Sequence, residues 1–70
     1  MIELTKVGGG KLTINADLIK WLEGMPHTTT ITLVTENKLM VEESVRDIVQ
    51  KVVDYQRLIH IYEMDAAVKN

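Results

Sequence analysis

Hydrophobic and polar positions follow two rhythms: alternation up to residue 43, then steps of three and four from residue 44 to about residue 68. In the second stretch Val45, Ile48, Val49, Val52, Tyr55, Ile59 and Tyr62 recur as on the buried stripe of an α-helix. Ser44 stands at the expected N-cap, where its hydroxyl can accept from free backbone amides, and Asp47 three residues on resembles a shortened capping box. Glu42, Glu43 and Asp47 add negative charge near the positive end of the helix dipole.

The alternating part predicts strands over residues 1–7, 11–14, 18–23, 28–35 and 38–42. Ile2 and Leu4 oppose Glu3 and Thr5, and Lys11-Leu12-Thr13-Ile14 alternates again after Gly8-Gly9-Gly10, so the opening reads as a hairpin turned by glycines that tolerate positive φ. Gly10-Lys11 invites comparison with a phosphate loop. That motif requires a four-residue spacer, a Ser or Thr after the Lys, and a helix behind it; Leu12 and a strand follow instead. Asn15-Ala16-Asp17 carries turn-forming side chains. Residues 18–23 fit two patterns, a helical turn with Leu18, Ile19 and Leu22 or a strand with Ile19 and Trp21 inward; shortness and the nearby Gly24 and Pro26 favour the strand. Trp21 is then expected as a large anchor at the sheet–helix boundary rather than as a ligand-stacking ring. Ile31 and Leu33 alternate with Thr30 and Thr32, and Leu39 with Val41, around a tight Glu36-Asn37 connection in which Asn37 is expected at positive φ.

These elements predict an α+β fold: a small antiparallel sheet or partly open barrel of four to five strands, followed by one long C-terminal helix. Residues 1–70 form one domain, with residues 1–43 as its β part and 44–68 as its helix. The expected core is Ile2, Leu4, Ile14, Ile19, Ile31, Leu33 and Val41 from the strands, and Val45, Ile48 and Val52 from the helix, with Val49 and Val53 also able to pack on the sheet. The helix is too long for this sheet. At ~1.5 Å per residue it exceeds ~30 Å, whereas strands of 5–6 residues span only ~17–20 Å.

Written as heptads, the helix has Val45, Val52, Ile59 and Ala66 at a and Ile48, Tyr55 and Tyr62 at d. Beyond Asp54 the stripe broadens to include Leu58, Ile61 and Met64, and a helix apolar around most of its circumference is normally buried. Either the tail folds back over the sheet or frays as termini do, or it meets another chain. Composition favours the last. A domain of 70 residues buries only ~60% of its unfolded surface, and small domains compensate with disulfides, a metal or a partner. There is no cysteine, and only His27 and His60 offer imidazole. Tyr55, Leu58, Ile59, Ile61 and Tyr62 are therefore the expected surface of a homo-oligomer.

The net charge of −2, with both signs interspersed, disfavours a nucleic-acid partner, whose electrostatic footprint is a clustered basic patch. No apolar run approaches the ~18–20 residues needed to span a bilayer, and the amino end lacks a signal-peptide pattern. A cytoplasmic protein without direct membrane insertion is expected. No nucleophile–base–orienter set is legible, since the single Ser is the predicted cap. His60 and Glu63 lie three apart on the helix, but two ligands without a third make a solvated polar edge the plainer reading. No catalytic residue, cofactor or metal is expected.

The order of features resembles the small flagellar FlbD family, also called SwrD. The resemblance rests on the opening Met-Ile-Glu-Leu-Thr-Lys with its Gly turn, Ile14-Asn15-Ala16 with Leu18-Ile19, and Pro26-x-Thr28 leading into Thr30-Ile31-Thr32-Leu33. Val41-x-Glu43-Ser44-Val45 and the helix positions Ile48 and Val52 complete it, to about residue 60. The chain departs from the family pattern with Gly-Gly-Gly and Glu36-Asn37 where Asn-Gly is usual, with His27 where Asp is common, and with a longer tail after His60. The resemblance implies a non-enzymatic accessory of the bacterial flagellar system that supports motor function and swarming, with a motor, stator or export component as partner. A looser similarity of layout, a strand through Leu18-Ile19, a hairpin and a helix opened by Ser44, links the chain to LytTR-type DNA-binding domains. Those read DNA with basic loop residues, whereas this chain has Lys6, Lys11, Lys20 and Lys38 but no Arg before Arg46.

Overall fold

The computed structural model describes the backbone of residues 1–68 and the side chains of residues 1–61. Five strands precede one helix: β1 (Ile2–Thr5), β2 (Lys11–Ile14), β3 (Ile19–Gly24), β4 (Thr29–Leu33), β5 (Lys38–Val41) and α1 (Val45–Val68). The fold is α+β.

β1 and β2 form an antiparallel hairpin with Ile2 opposite Ile14 and Leu4 opposite Leu12, so their apolar side chains share one face. Its turn holds Gly8, Gly9 and Gly10 at φ of +92°, +98° and +92°. Three successive residues in this region require glycine, because a Cβ would clash with the backbone there. Asn15 accepts from the Asp17 amide at 3.0 Å through its Oδ1 and opens a short 3-10 turn, Ala16–Leu18.

β3, β4 and β5 form the second antiparallel sheet, in that order. The two sheets meet at one antiparallel bridge, Lys6 with Val41. Around it, the Glu42 amide donates to the Thr5 carbonyl at 2.8 Å and the Val7 amide to the Met40 carbonyl at 3.3 Å. The assembly is an open, curved pair of sheets, not a closed barrel.

Within this frame Trp21 lies elsewhere than expected. The register slips between Ile19 and Trp21, so Ile19 opposes Leu33, Trp21 opposes Thr32 and Leu22 opposes Ile31. Such a bulge inserts one residue and changes which side chains face in. Ile19 and Leu22 therefore pack on the core, and Trp21 projects from the opposite face of the sheet with 47% of its surface exposed. It is not an anchor at the sheet–helix boundary. The β4–β5 connection also differs. β4 ends at Leu33, the Glu36 amide closes a turn onto the Leu33 carbonyl at 2.8 Å, and Glu36, not Asn37, takes positive φ at +72°. A type I turn followed by one left-handed residue places that residue one step earlier than a two-residue loop would.

The core consists of Ile2, Leu4, Ala16, Ile31, Val41 and Ile48, with Ile14, Ile19, Leu22, Leu33, Leu39, Val52 and Tyr55 packed around it. Val45 and Val53 are half-buried, and Val49 is largely exposed. The helix packs on β1 and β3, and Ile48 is its only fully buried side chain among the described residues.

Candidate interaction surface on the C-terminal helix

The helix is held firmly where it begins. Ser44 Oγ accepts from the Asp47 amide at 3.1 Å, and the Ser44 carbonyl accepts from the Ile48 amide at 3.0 Å. The first satisfies an amide that a helix start leaves open, and the second is the first bond of the helix's own ladder. Just before it, Glu43 Oε1 accepts from the Thr5 amide at 2.9 Å and the Glu43 carbonyl from Thr29 Oγ1 at 2.7 Å. The helix start is thereby fastened to β1 and β4. Burial would raise the Glu43 pKa, but hydrogen bonds from Thr5 and from its own amide, with the charge of Lys51, together hold it below the usual value.

From that anchored end the helix runs off the sheets. Its 24 residues extend ~36 Å, and the molecule measures 47 × 21 × 19 Å. The radius of gyration is 14.1 Å, against ~11 Å for a compact chain of this length. Ile48, Val52 and Tyr55 follow the core. Past them Leu58 and Ile61 are 64% and 61% exposed and Ile59 is 38% exposed.

Of the residues expected to form an intersubunit surface, Leu58, Ile59 and Ile61 thus stand in solvent on several sides of the helix. Tyr55 is half-buried against the domain's own core, while the Tyr62 side chain lies outside the described residues. The chain does not turn back after Leu58; it continues as helix through Val68. Two grooves flank it. One is walled by Ala16, Ile19 and Leu22 and floored by Val49, Val52 and Val53. The other lies between β1 and the helix, lined by Met1, Ile2 and Glu3 and by Lys51, Asp54, Tyr55 and Leu58. Neither groove was legible in the sequence, because each joins residues some 30 to 55 positions apart.

A second exposed feature is the outer face of the three-stranded sheet. Lys20 Nζ sits 4.8 Å from the Trp21 ring centroid and pairs with Glu36. Opposite Trp21 in the β3–β4 register, Thr32 is fully buried and its Oγ1 has no hydrogen-bond partner. Lys11 Nζ donates to Thr5 Oγ1 at 3.1 Å. Lys11 and Lys20 are thus engaged within the domain. Among the described residues no three His, Asp or Glu side chains converge as a metal site requires; Glu63, weighed with His60 as a ligand, lies outside the described side chains.

Residues 1–60 match the model of the family FlbD, flagellar and swarming motility proteins. The chain belongs to the FlbD family. No curated protein and no solved structure gives a match. In this FlbD chain the matched region contains both sheets and the helix through His60, so the final turns of the helix lie beyond it. No described helix is long and apolar enough to cross a membrane.

Proposed function

We propose that this FlbD-family chain is a non-enzymatic scaffold of the bacterial flagellar system, acting at the cytoplasmic side of the motor as a homo-oligomer. The observation that carries the reading is the bare distal helix, where Leu58, Ile59 and Ile61 stay in solvent although the chain has a small core. Leaving large apolar side chains exposed on a marginally stable domain favours association. The family match supplies the cellular process. The mechanism is assembly: the distal helix joins copies, and symmetry then repeats the sheet surface for contact with a motor, stator or export component.

Replacing the resident chain in motile cells by an Ile59→Asp variant tests the reading. Swarming falls while filaments still form, and light scattering on the purified full chain shows a lower mass than wild type. A wild-type chain that is monomeric at tens of micromolar removes the oligomer. Full swarming by a dissociated variant removes the link between assembly and motility.

A further inference from the structure

β1 has two edges, and β2 covers only one of them. The Lys6 amide donates to the Gly10 carbonyl at 2.9 Å. In the register that sets Leu4 opposite Leu12 and Ile2 opposite Ile14, the backbone groups of Ile2, Leu4 and Lys6 therefore turn towards β2. An antiparallel ladder alternates, so those of Glu3 and Thr5 turn to the far edge. Thr5 shows it directly: its carbonyl accepts from the Glu42 amide at 2.8 Å, and its amide donates to Glu43 Oε1 at 2.9 Å. Glu3, two residues back, presents its amide and carbonyl on the same side. The segment after β5 has already left that edge to begin the helix, and among the described residues no hydrogen bond from the helix reaches either Glu3 group. What borders them is a groove, with Glu3 on one side and Lys51, Asp54, Tyr55 and Leu58 on the other.

We propose that this groove seats an extended segment of another protein, which adds to β1 as a strand beyond the end of β5. Strand addition takes its affinity from main-chain hydrogen bonds and its selectivity from alternate side chains. The edge offers one donor and one acceptor, both at Glu3, to a strand of ~3–4 residues. A helix in the same place would leave both groups unmet, because its own amides and carbonyls are already paired.

Alternation also fixes the chemistry of the segment. The visiting residue that bonds Glu3 carries its side chain to the exposed face on which the Glu3 side chain stands. Opposite charges at directly facing positions attract. Its two neighbours turn to the other face, over Tyr55 and Leu58, and Leu58 is 64% exposed. On the helix wall the charges of Lys51 and Asp54 offset each other, so Glu3 sets the preference. The segment that fits is apolar, basic, apolar. This seat belongs to the domain's own edge and does not depend on whether the distal helix joins copies; Leu58 is common to both surfaces.

The full chain is titrated with the capped peptide Thr-Val-Lys-Val-Thr while its backbone amides are followed by NMR. In the free chain the Glu3 amide exchanges faster than that of Leu4, because it lies outside the ladder. With peptide at about ten times its Kd, Glu3 exchange slows roughly tenfold, and the Tyr55 and Leu58 signals shift saturably. Methylating the lysine nitrogen of the peptide, which faces Glu3, abolishes binding, whereas methylating that of the preceding valine, which faces away, does not. No saturable shift at Glu3, or the reverse order of the two methyl groups, overturns strand addition. Changing the peptide lysine to glutamate weakens binding about fivefold, and Glu3→Lys reverses that preference; a preference that stays the same overturns the role of Glu3. Glu3→Pro removes the edge donor and leaves the β1–β2 ladder intact, so the chain stays folded and no longer binds the peptide. Retained binding overturns the site. If Glu3 is already protected in the wild-type chain alone and Glu3→Pro lowers its mass by light scattering, the occupant is a second copy and the foreign partner is overturned.

Discussion

The Thr5 amide donates to Glu43 Oε1 at 2.9 Å across 38 residues of chain, joining the end of the first strand to the residue before the helix cap. Thr5 also accepts from the Glu42 amide, so one strand residue orients the segment that launches the helix. The pairing makes the fold acid-sensitive in a defined way. The folded-state pKa of Glu43 lies below its unfolded value, so its stabilisation is fully present above the unfolded carboxylate pKa of ~4.3 and is lost as pH falls through the folded value. Glu43→Gln keeps an acceptor but not the charge, and should cost ~1 kcal/mol at neutral pH. Thermal midpoints of the two proteins should converge as pH drops below ~4; a gap that is constant from neutral to acid pH would show that the charge contributes nothing.

The cap beside it is a separate contribution. Ser44→Ala leaves the Asp47 amide without its 3.1 Å acceptor and should destabilise the chain by ~1 kcal/mol, with Ser44→Asp nearly neutral. Urea unfolding provides the measurement: the midpoint should shift at unchanged slope. Equal losses for Ala and Asp would mean that Ser44 acts through something other than its acceptor.

Local patterns carried most of the fold, because both hairpins are written in alternation and turn chemistry within fifteen residues. The Gly8-Gly9-Gly10 turn, the Asn15 turn and the Ser44 cap are all short-range arrangements of donors and acceptors. What escaped were features decided by pairing. A bulge at residue 20 turned Trp21 away from the core and Leu22 into it, and a one-residue difference in turn geometry moved positive φ from Asn37 to Glu36. The junction of the two sheets at the Lys6–Val41 bridge pairs residues 35 positions apart, which no local pattern encodes. For the candidate surface, the apolar excess at Leu58, Ile59 and Ile61 was readable from composition. The grooves beside it, and the participation of Tyr55 in the domain's own core, were not.

Trp21 gives a test of the bulge. A buried Trp truncated to Ala costs ~3–5 kcal/mol. Here Trp21→Ala forfeits only a half-exposed ring and its stack with Lys20. The net loss should be near 1 kcal/mol by chemical denaturation, and the wild-type indole should be readily quenched by acrylamide. A loss above ~3 kcal/mol would place the ring in the core after all.

The second hairpin allows a paired comparison. Glu36 pays a left-handed backbone penalty of ~1–2 kcal/mol, whereas Asn visits that region more easily. Glu36→Asn should be neutral to slightly stabilising even though it removes the exposed contact with Lys20, which is worth at most ~1 kcal/mol. Asn37→Gly should destabilise by ~0.5–1 kcal/mol, since its conformation needs no glycine and the unfolded chain gains freedom. Reversal of these two signs in thermal melts would return the left-handed position to Asn37.

Finally, the two halves of the helix should separate in their dependence on protein concentration. Ile48 is fully buried, so Ile48→Ala should destabilise the chain by ~2–4 kcal/mol at any concentration, a large share of the ~4–10 kcal/mol expected for a domain of this size. Leu58 meets solvent over most of its surface. In dilute solution Leu58→Ala should change stability by no more than ~0.5 kcal/mol. At high concentration the wild-type midpoint should rise, because association stabilises only the folded form, and Leu58→Ala should abolish most of that rise. Differential scanning calorimetry over a hundredfold range of concentration distinguishes the two. A Leu58→Ala loss that matches Ile48→Ala in dilute solution would make the distal helix part of the monomer's core; a wild-type midpoint independent of concentration would leave its exposed apolar face without a role in self-association.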